Sequence, residues 1–576
     1  MSFLIKYNDG KLVDSKMLHK RETPCPSYLC EDGSTFCVGE VFNKTFDDIA
    51  YSEWENNLES LNNIIGDIAI VRATDEKCIF AVDICGIDNL FYFQDNRKFI
   101  ISDNIWEIIN DLQPRFEDLN QEWIRNNLVY CVINGETFIN NLKVMMPGQI
   151  GTYDPKQNVL NIREYRKFGY SSDIKTLAKA VDSMDKALDT MFMSLKSKFG
   201  EECIYGMGLS GGLDSRVIPY YARKYNMNLV SWNICTRRPN RILEASSVKS
   251  AKRLSKEFKI PFKIVEWKGE KLEEKLNLRI RNMPMGTFGR NMFKYETEGI
   301  PEFNIMLGGG FGILVGDYLP LEIPELNKEE LKRRMEEMFI SLESTSNKGR
   351  ARRALNYIFG LSLPVTDEQA PDEVVKLLDK ELKNAKKYIS EYVDKRYGDY
   401  TNIEIFESYW LNYLCTRDRN GAFESMFGTR RSFATYSPFV FKEIVKWDES
   451  LLLGRQVLPA LIKKKMPKIA SVGTDSYTTA PNKSSRMISR IISITRRLIR
   501  GNGTAIDENN FNSRTKGIIR KCLNNECEWF YKIIDTRGIN ESILNKKHLR
   551  QIIGIWEMKA LVDYIETKEY QKINHS

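Results

Sequence analysis

Residues 204–225 place two glycines between a short apolar strand and a helix, and this transition constrains the chain more than any other stretch. Residues 204–209 (IYGMGL) predict a buried strand, and residues 217–225 begin a helix with an apolar face. Between them lies Ser210-Gly211-Gly212-Leu213-Asp214-Ser215. A strand that turns into a helix at glycines leaves backbone N–H groups exposed at the positive end of the helix dipole. The turn is therefore expected to bind a phosphate group.

The side chains of this turn add groups that suit a phosphate. Ser210 and Ser215 supply hydroxyl donors. Asp214 is an acid where an anion is expected to bind, which suggests that it holds Mg²⁺ against the phosphate oxygens. Because the turn is expected to face solvent, replacing Asp214 should cost little stability. The alternative is an ordinary tight turn in which Asp214 only caps the helix.

The surrounding residues alternate between apolar runs and amphipathic helices. A helix that begins near residue 171 carries Leu177, Val181, Met184, Leu188 and Met191 on one stripe. Strands are then predicted at residues 229–235, 262–267 and 303–307, and helices at 244–258 and 270–281. This β-α-β-α-β order predicts an α/β fold with a doubly wound parallel sheet, whose ligand lies at the carboxyl ends of the strands.

Residues 1–168 have a different pattern, because short apolar runs alternate with turns there. The runs fall at residues 35–42, 67–73, 78–84, 90–93 and 98–102. They predict a layered, β-rich domain.

Composition bounds the function classes. With 576 residues the chain should form two or three domains, and a net charge of +8 is small for this length. No nucleic-acid-reading motif is present, so no nucleic-acid partner is expected. The absence of a signal peptide and of a membrane-spanning apolar run predicts a cytoplasmic protein. The eleven cysteines include no C-x-x-C motif, which predicts reduced thiols. The chain has only three histidines, which argues against Ser-His catalysis.

The glycine turn closely resembles the SGGxDS pyrophosphate loop of the ATP pyrophosphatase family, and most of the chain resembles asparagine synthetases of the glutamine-hydrolysing type. The resemblance implies that residues 210–215 bind the pyrophosphate of ATP, with Leu209 and Ile234 beside the nucleotide. It also implies that a substrate carboxylate attacks the α-phosphorus to give an acyl-adenylate, which an amine then captures. Leu209 and Ile234 fit an ordinary core position equally well.

The N-terminal runs resemble the N-terminal-nucleophile glutaminase domain of the same family. Residues 38–43 (VGEVFN) stand where the family has NGEIYN, and residues 83–92 (DICGIDNLFY) resemble its RDxxGxxPLYY. The resemblance implies that Gly39, Glu40 and Asp83 are remnants of a glutamine pocket. Ser2 replaces the family's nucleophilic cysteine, and Val38 replaces its oxyanion donor. The chain is thus expected not to hydrolyse glutamine, although an N-terminal serine can in principle act as a nucleophile.

Residues 305–318 (IMLGGGFGILVGDY) resemble the family's LSGEGADELFGGY, which places Gly308 at the nucleotide site. The family's glutamate falls at Gly309 and its aspartate at Gly312. Either the amine substrate needs no base from this loop, or another acid such as Asp317 substitutes, or the reaction has been lost.

The C-terminal third is rich in basic residues. The resemblance implies a lysine that neutralises the pyrophosphate, and five residues are candidates: Lys463, Lys464, Lys465, Lys468 and Lys483. The alternative is that these lysines lie on a solvated helix. Residues 485–500 predict a basic amphipathic helix that lies on an anionic membrane surface or packs on the protein.

The sequence thus predicts a glutaminase-like domain at 1–168, an ATP pyrophosphatase domain at 169–480 and a helical extension at 481–576. The expected function is an ATP- and Mg²⁺-dependent amide ligase that joins a small-molecule or peptide carboxylate, such as aspartate, to ammonia or an amine. A related alternative is ring closure of the β-lactam or lasso-peptide type, or amide formation on a sugar or peptide. A non-catalytic nucleotide-binding or assembly protein is the alternative from another class, and a homodimer is left open.

Overall fold

The computed structural model describes most of the chain, with gaps. The described residues are 2–18, 27–29, 33–50, 54, 61, 63–86, 88–128, 134–165, 168–235, 246–266, 280, 299–308, 319–340, 379–418, 431–434, 438–472, 527–534 and 549–571. Within them the protein is a mixed α/β structure with two antiparallel sheets and one parallel sheet.

The two antiparallel sheets are built from the N-terminal residues. Their strands are β1 Ser2–Asn8, β2 Lys11–Leu18, β3 Ser27–Leu29, β4 Thr35–Val41, β5 Gly66–Ala73, β6 Cys78–Val82, β7 Phe91–Gln94, β8 Lys98–Ser102, β9 Leu142–Val144, β10 Gln149–Asp154 and β11 Val159–Glu164. The first sheet has the order β2-β1-β8-β7-β9 and the second β11-β10-β6-β5-β4-β3. Phe3 and Phe99 of the first sheet share one buried cluster with Phe36 and Phe80 of the second. The sheets therefore pack face to face, as the layered prediction required.

The predicted apolar runs each contain a strand of these sheets. The β1–β2 hairpin was not predicted, because β2 alternates exposed and half-buried residues and carries four charged or polar side chains among its eight residues. Its register is fixed by pairing, with Leu4 opposite Lys16 in β2 and opposite Ser102 in β8. Strand pairing across the chain, rather than local hydrophobicity, defines this edge.

The parallel sheet follows in the middle of the chain. Its strands are β12 Ile204–Gly208, β13 Asn228–Cys235, β14 Phe262–Glu266, β15 Ile305–Gly308 and β16 Arg431–Ala434. Their order is β14-β13-β12-β15-β16, and all neighbours are parallel. The predicted parallel sheet is confirmed, and β16 is an additional strand. Because the order reverses between β12 and β15, a crevice is expected at the carboxyl ends of these two strands.

Helices surround the sheets. They are α1 Phe46–Ala50, α2 Ile105–Leu112, α3 Gln121–Asn126, α4 Leu177–Phe199, α5 Asp214–Lys224, α6 Ser246–Phe258, α7 Lys328–Phe339, α8 Asp379–Asp394, α9 Asn402–Asp418, α10 Pro438–Ile444, α11 Val457–Lys465, α12 Pro467–Ala470, α13 Glu528–Ile533 and α14 Leu549–Glu566. Four residues of the stripe predicted on α4 are buried: Val181, Met184, Leu188 and Met191. Leu177 is only half-buried, and the helix begins there, later than the predicted start near residue 171, because Thr176 caps it. Helix α7 buries Leu331, Met335 and Phe339, so only part of its surface is solvated.

The end of the chain packs back on N-terminal residues. The ring of Trp106 on α2 lies 5.1 Å from the ring of Tyr564 on α14. The ring of Phe116 lies 5.9 Å from Trp529 on α13. One continuous hydrophobic core includes these residues together with α4 and the parallel strands. The described part of the C-terminal region is thus integrated into the body of the protein.

Candidate functional site

The turn between β12 and α5 presents a row of backbone N–H groups. Gly211 has φ +83°, a conformation that favours glycine. No hydrogen bond to an acceptor in the described residues uses the N–H groups of Gly211, Leu213, Asp214 or Ser215. These donors lie at or just before the first turn of α5, where the helix dipole is positive. The turn therefore offers these donors and a favourable field to an anion.

The two serine hydroxyls bond within the turn. The Gly212 N–H donates to Ser210 Oγ at 3.2 Å. Ser215 Oγ donates to the Gly212 carbonyl at 3.1 Å and lies 3.3 Å from Ser210 Oγ. Ser215 is buried, whereas Ser210 is exposed at the surface of the turn. These bonds hold the turn in shape, and direct contact of either hydroxyl with a phosphate stays a prediction.

Strand β13 fixes the start of the turn. The Leu209 N–H donates to the Trp232 carbonyl at 2.7 Å. Asn233 Nδ2 donates to the Leu209 carbonyl at 2.7 Å, and the buried Asn233 Oδ1 has no hydrogen-bond partner among the described residues. The Leu209 side chain is fully buried in the main core, and Ile234 packs on that core. The packing therefore agrees with a core role for both side chains, while Asn233 is a polar neighbour that the sequence did not single out.

Arg216 ties the turn to the segment after α11. This arginine is fully buried on the first turn of α5. Its Nη1 donates to the carbonyls of Ile469 (2.9 Å) and Val472 (2.7 Å), and its Nη2 donates to the Gly211 carbonyl at 3.1 Å. A buried guanidinium bonded on both sides fixes the turn at a set distance from α12. The sequence feature that could have indicated this role is the position of the arginine next to the apolar Val217.

Asp214 does not lie free at a solvent-facing turn, and that expectation is wrong. Its Oδ1 accepts a hydrogen bond from Arg455 Nη2 at 2.8 Å. The Arg455 side chain is 8% exposed and that of Asp214 is 24% exposed. Helix α5 has no side-chain cap, so the capping alternative is also not what is observed. Asp214 is thus half of a largely buried ion pair that sequence reasoning missed.

The donor set fits a magnesium–triphosphate group. Asp214 Oδ2 has no hydrogen-bond partner among the residues that the structure describes. Mg²⁺ is commonly held by one or two carboxylates together with substrate phosphates, so one free carboxylate oxygen beside a phosphate turn suits it. A Cβ built on Gly208 would meet no atom within 4 Å, which shows that the approach to the end of β12 is open.

Gly308 ends β15 beside β12, across the point where the strand order reverses. Residues 309–318, including Gly309, Gly312 and Asp317, lie outside the described residues. Whether another acid of this loop replaces the carboxylates that are absent at Gly309 and Gly312 therefore stays a prediction from the sequence.

The lysine candidates divide into two groups. Lys464 pairs with Asp182, and Lys465 lies 2.5 Å from Asp185, both acids being on α4. Lys463 and Lys468 are exposed, and Lys483 lies outside the described residues. The ion pairs of Lys464 and Lys465 support the reading of a solvated helix surface for these two lysines.

Ser2 is poorly placed for nucleophilic attack. It lies in β1 with 1% of its surface exposed. Its Oγ donates to Asp103 Oδ1 at 2.5 Å, and the same oxygen accepts the Phe3 N–H at 3.0 Å. A buried hydroxyl bonded to a structural carboxylate has no route to a substrate. The absence of glutaminase chemistry stays a prediction.

The other glutamine-pocket positions are engaged by the protein itself. Glu40 pairs with Lys198 of α4, whose Nζ also donates to the Val41 carbonyl at 2.8 Å. Gly39 has φ +124°, and a Cβ there would lie 1.9 Å from the Asp67 carbonyl oxygen. Asp83 Oδ1 accepts two backbone N–H groups at 2.7 and 2.9 Å. Each of these residues has a structural role that explains its presence without a glutamine ligand.

The described residues also include five cysteines and one small acidic cluster. Cys37, Cys78, Cys85, Cys203 and Cys527 are buried and form no disulfide within the described residues. Cys527 lies with Asp563 and Glu566 in a group that could hold a metal ion. Burial raises the pKa of the Cys527 thiol to about 12, and the thiol donates to Glu566 Oε2 at 3.3 Å. A protonated thiol bonded to its neighbour does not favour metal ligation.

In the described portion of the chain, none of the helices has the length and apolar character required to traverse a membrane. The predicted basic helix at 485–500 lies outside that portion.

Neither a protein-family model nor a curated protein matches the chain. Among solved structures it is similar to the glutamine phosphoribosylpyrophosphate amidotransferase of B. subtilis complexed with ADP and GMP. That match has 9% identity and covers 46% of this chain and 59% of the other, with a TM-score of 0.17. The chain thus spans less than two thirds of the length of that protein.

Two further solved structures are similar over smaller parts of this chain. An NH3-dependent NAD synthetase of Campylobacter jejuni is 17% identical, with coverage of 36% of this chain and 94% of the other. A U34-tRNA thiolase of Methanococcus maripaludis with its 4Fe–4S cluster is 15% identical, with coverage of 41% and 80%. Both have TM-scores of 0.17, so these likenesses decide neither the fold nor the function of this chain.

Proposed function

We propose that the protein is an ATP-dependent amide ligase that activates a carboxylate as an acyl-adenylate and transfers the acyl group to ammonia or an amine. The observation that carries the proposal is the row of N–H groups at Gly211, Leu213, Asp214 and Ser215, which have no acceptor among the described residues. These groups lie at the carboxyl end of β12, where the strand order of a parallel sheet reverses. Open parallel sheets bind their ligands at that position.

The residues of the turn would bind the leaving group. In the first step a substrate carboxylate oxygen bonds to the α-phosphorus of ATP while the bond from that phosphorus to the bridging oxygen breaks, which releases pyrophosphate. In the second step the amine nitrogen bonds to the acyl carbon, AMP leaves and the amine loses a proton. The N–H donors of the turn stabilise the charge on the departing pyrophosphate, and Asp214 Oδ2 is the group available to hold Mg²⁺. Arg455 orients Asp214 through their ion pair.

The substrates are proposed from the resemblance alone. A small-molecule or peptide carboxylate, with aspartate as the family's default, would meet ammonia or a larger amine. Gly309 and Gly312 offer no carboxylate to assist the amine. The absence of a carboxylate at these two positions favours an acceptor that needs little help from a base, including an internal amine in ring closure, unless Asp317 substitutes for them. The N-terminal sheets would serve as structure, because Ser2 and Glu40 are occupied by protein partners.

ATP–pyrophosphate exchange across a panel of carboxylates tests the proposal. Exchange that depends on one class of acid is the expected result and identifies that acid. The same loss of carboxylates at Gly309 and Gly312 also favours a second candidate, a nucleotide-binding protein without catalysis. ATP binding by calorimetry with no exchange for any acid would select that candidate. An ordinary rate of asparagine formation from free aspartate and ammonia would show that these two glycines do not redirect the chemistry.

A further inference from the structure

A cavity of about 600 Å³, counting its open mouth, lies between the antiparallel sheets and helices α8 to α10. Much of this space is open to solvent, and the interior volume is about 70 Å³, which is room for part of a small molecule. Its floor consists of Ile84, Pro147 and Gly148, and none of the phosphate-turn residues lines it. It is therefore a second site, separate from the crevice of the parallel sheet.

The floor of the cavity is rigid. Asp83 Oδ1 accepts the N–H groups of Cys85 and Gly86 at 2.7 and 2.9 Å, which locks the turn that carries Ile84. The Gly148 N–H donates to the Asp83 carbonyl at 2.9 Å. The aspartate that resembles a glutamine-pocket residue thus builds the base of this cavity.

Arg396 supplies the positive charge of the cavity. Its Cζ lies 3.8 Å from the centre of the Tyr392 ring, and its Nη1 makes a long 3.4 Å bond to the Tyr392 carbonyl. Among the described residues no carboxylate lies within 4 Å of this guanidinium. Stacking on Tyr392 restricts the orientation of the guanidinium and leaves several N–H donors for a ligand.

Aromatic walls and one acid define the rest of the cavity. Phe168 and Phe441 line it with their ring centres 5.9 Å apart. Tyr392 is buried, and burial raises the pKa of its hydroxyl, which keeps this wall neutral. That hydroxyl lies 2.9 Å from Ser408 Oγ. Glu164 also lines the cavity and has no basic partner in the described residues. A ligand with two or more negative charges would be repelled by Glu164.

We propose that this cavity binds a small monocarboxylate with an apolar body. The carboxylate accepts paired hydrogen bonds from Arg396, and the apolar body packs against Phe168 and Phe441. The bound molecule contacts both the antiparallel-sheet region and the helices, so it stabilises their association. Binding needs no nucleotide, so this proposal does not depend on the proposed ligase activity.

Calorimetric titration of the full chain without ATP provides the test, with phenylacetate, benzylamine and inorganic phosphate as probes. Phenylacetate is expected to bind about tenfold or more tightly than either of the others, because it alone combines one negative charge with an aromatic ring. Absence of phenylacetate binding, or tighter binding of phosphate or benzylamine, overturns the proposal.

Variants locate the binding. Arg396→Gln should weaken phenylacetate binding about tenfold or more, the usual effect of losing a charged hydrogen bond. The matched control is Arg333→Gln on α7, whose side chain is 69% exposed and pairs with Glu337. Equal binding by Arg396→Gln and wild type overturns the proposal.

A measurement on the wild-type protein covers the case in which the variant does not fold. Phenylglyoxal modification of Arg396, followed by mass spectrometry, should slow when phenylacetate is present, whereas modification of Arg333 should not change. No protection of Arg396 at saturating phenylacetate overturns the proposal.

Discussion

The turn at residues 210–215 and the glutaminase-like positions of the N-terminal sheets differ in how their polar groups are hydrogen-bonded. At the turn, the N–H groups of Gly211 and Leu213 have no acceptor among the described residues. In the sheets, Ser2 donates to Asp103 and Glu40 pairs with Lys198. Buried polar groups that meet no ligand must find partners within the protein, whereas a ligand site keeps donors in reserve. Two motifs that resemble one family thus differ: one keeps N–H donors without acceptors among the described residues, and the polar groups of the other are bonded within the protein.

The largest expected effect comes from Asp214→Ala. It removes the proposed Mg²⁺ ligand, so ATP-dependent pyrophosphate release should be abolished. It also removes a charged hydrogen bond to the largely buried Arg455, which should lower the free energy of unfolding by about 2 kcal/mol. Pyrophosphate assays and urea denaturation measure the two effects.

The matched control for stability is Asp182→Ala. Asp182 pairs with Lys464, and the two side chains are 61% and 51% exposed. Loss of this surface pair should cost less than about 1 kcal/mol. Retained pyrophosphate release in Asp214→Ala would place the active site elsewhere.

The second prediction compares two glycines with positive φ. Gly211 and Gly200 have φ of +83° and +77°. Alanine at either position should cost about 1 kcal/mol of stability or more, because residues with a Cβ rarely adopt positive φ. Gly211→Ala should in addition weaken ATP binding about tenfold or more, since it displaces the N–H row.

Equilibrium binding of ATP to both variants gives the answer. Gly200 lies after α4, away from the turn, and a Cβ there would meet no atom within 4 Å. Equal ATP affinities for Gly211→Ala and Gly200→Ala would remove the phosphate role from this turn.

The third prediction concerns Glu407, a fully buried acid of α9. Burial raises the pKa of Glu407 from 4.5 to about 8. The folded state then holds the proton more tightly than the unfolded state, so this group's contribution to stability is complete below pH 4.5 and is lost as pH rises to 8. Between these values the free energy of unfolding should fall by about 1.4 kcal/mol per pH unit from this group.

Glu407→Gln should flatten this part of the pH profile and make the protein more stable than wild type at pH 8. Glu391→Gln on α8 is the control, since the Glu391 side chain is 53% exposed. Chemical denaturation between pH 5 and 8 measures both. A wild-type slope that persists in Glu407→Gln would assign the pH dependence to other groups.

The smallest expected effect is that of Ser2→Ala. Because the hydroxyl is sealed against Asp103, the change should leave ATP-dependent activity unaltered and cost about 1 kcal/mol of stability. Wild-type protein incubated with glutamine should release no glutamate above background, with or without ATP. ATP-stimulated glutamate release that disappears in Ser2→Ala would show a working glutaminase. It would contradict the conclusion that the N-terminal positions serve only the structure.

Elements with a strong local signal were predictable. Strand β13 was predicted at residues 229–235 and spans Asn228–Cys235, and four residues of the apolar stripe of α4 are buried as their spacing required. The edge elements were not predictable from local pattern. Strand β2 is mostly polar, and β16 has only four residues, so both exist because a neighbouring strand supplies their hydrogen bonds.

The sequence by itself determined the phosphate turn, because glycines between an apolar strand and a helix are a local and sterically demanding signal. Tertiary structure alone decided what surrounds that turn. Arg455 lies 241 residues from Asp214, and Arg216 reaches a carbonyl 256 residues away. No local pattern encodes such pairs, since they arise only when packing of distant helices brings two side chains into one buried volume. The same packing decided that Ser2 and Glu40 serve the fold, because their partners Asp103 and Lys198 come from other elements.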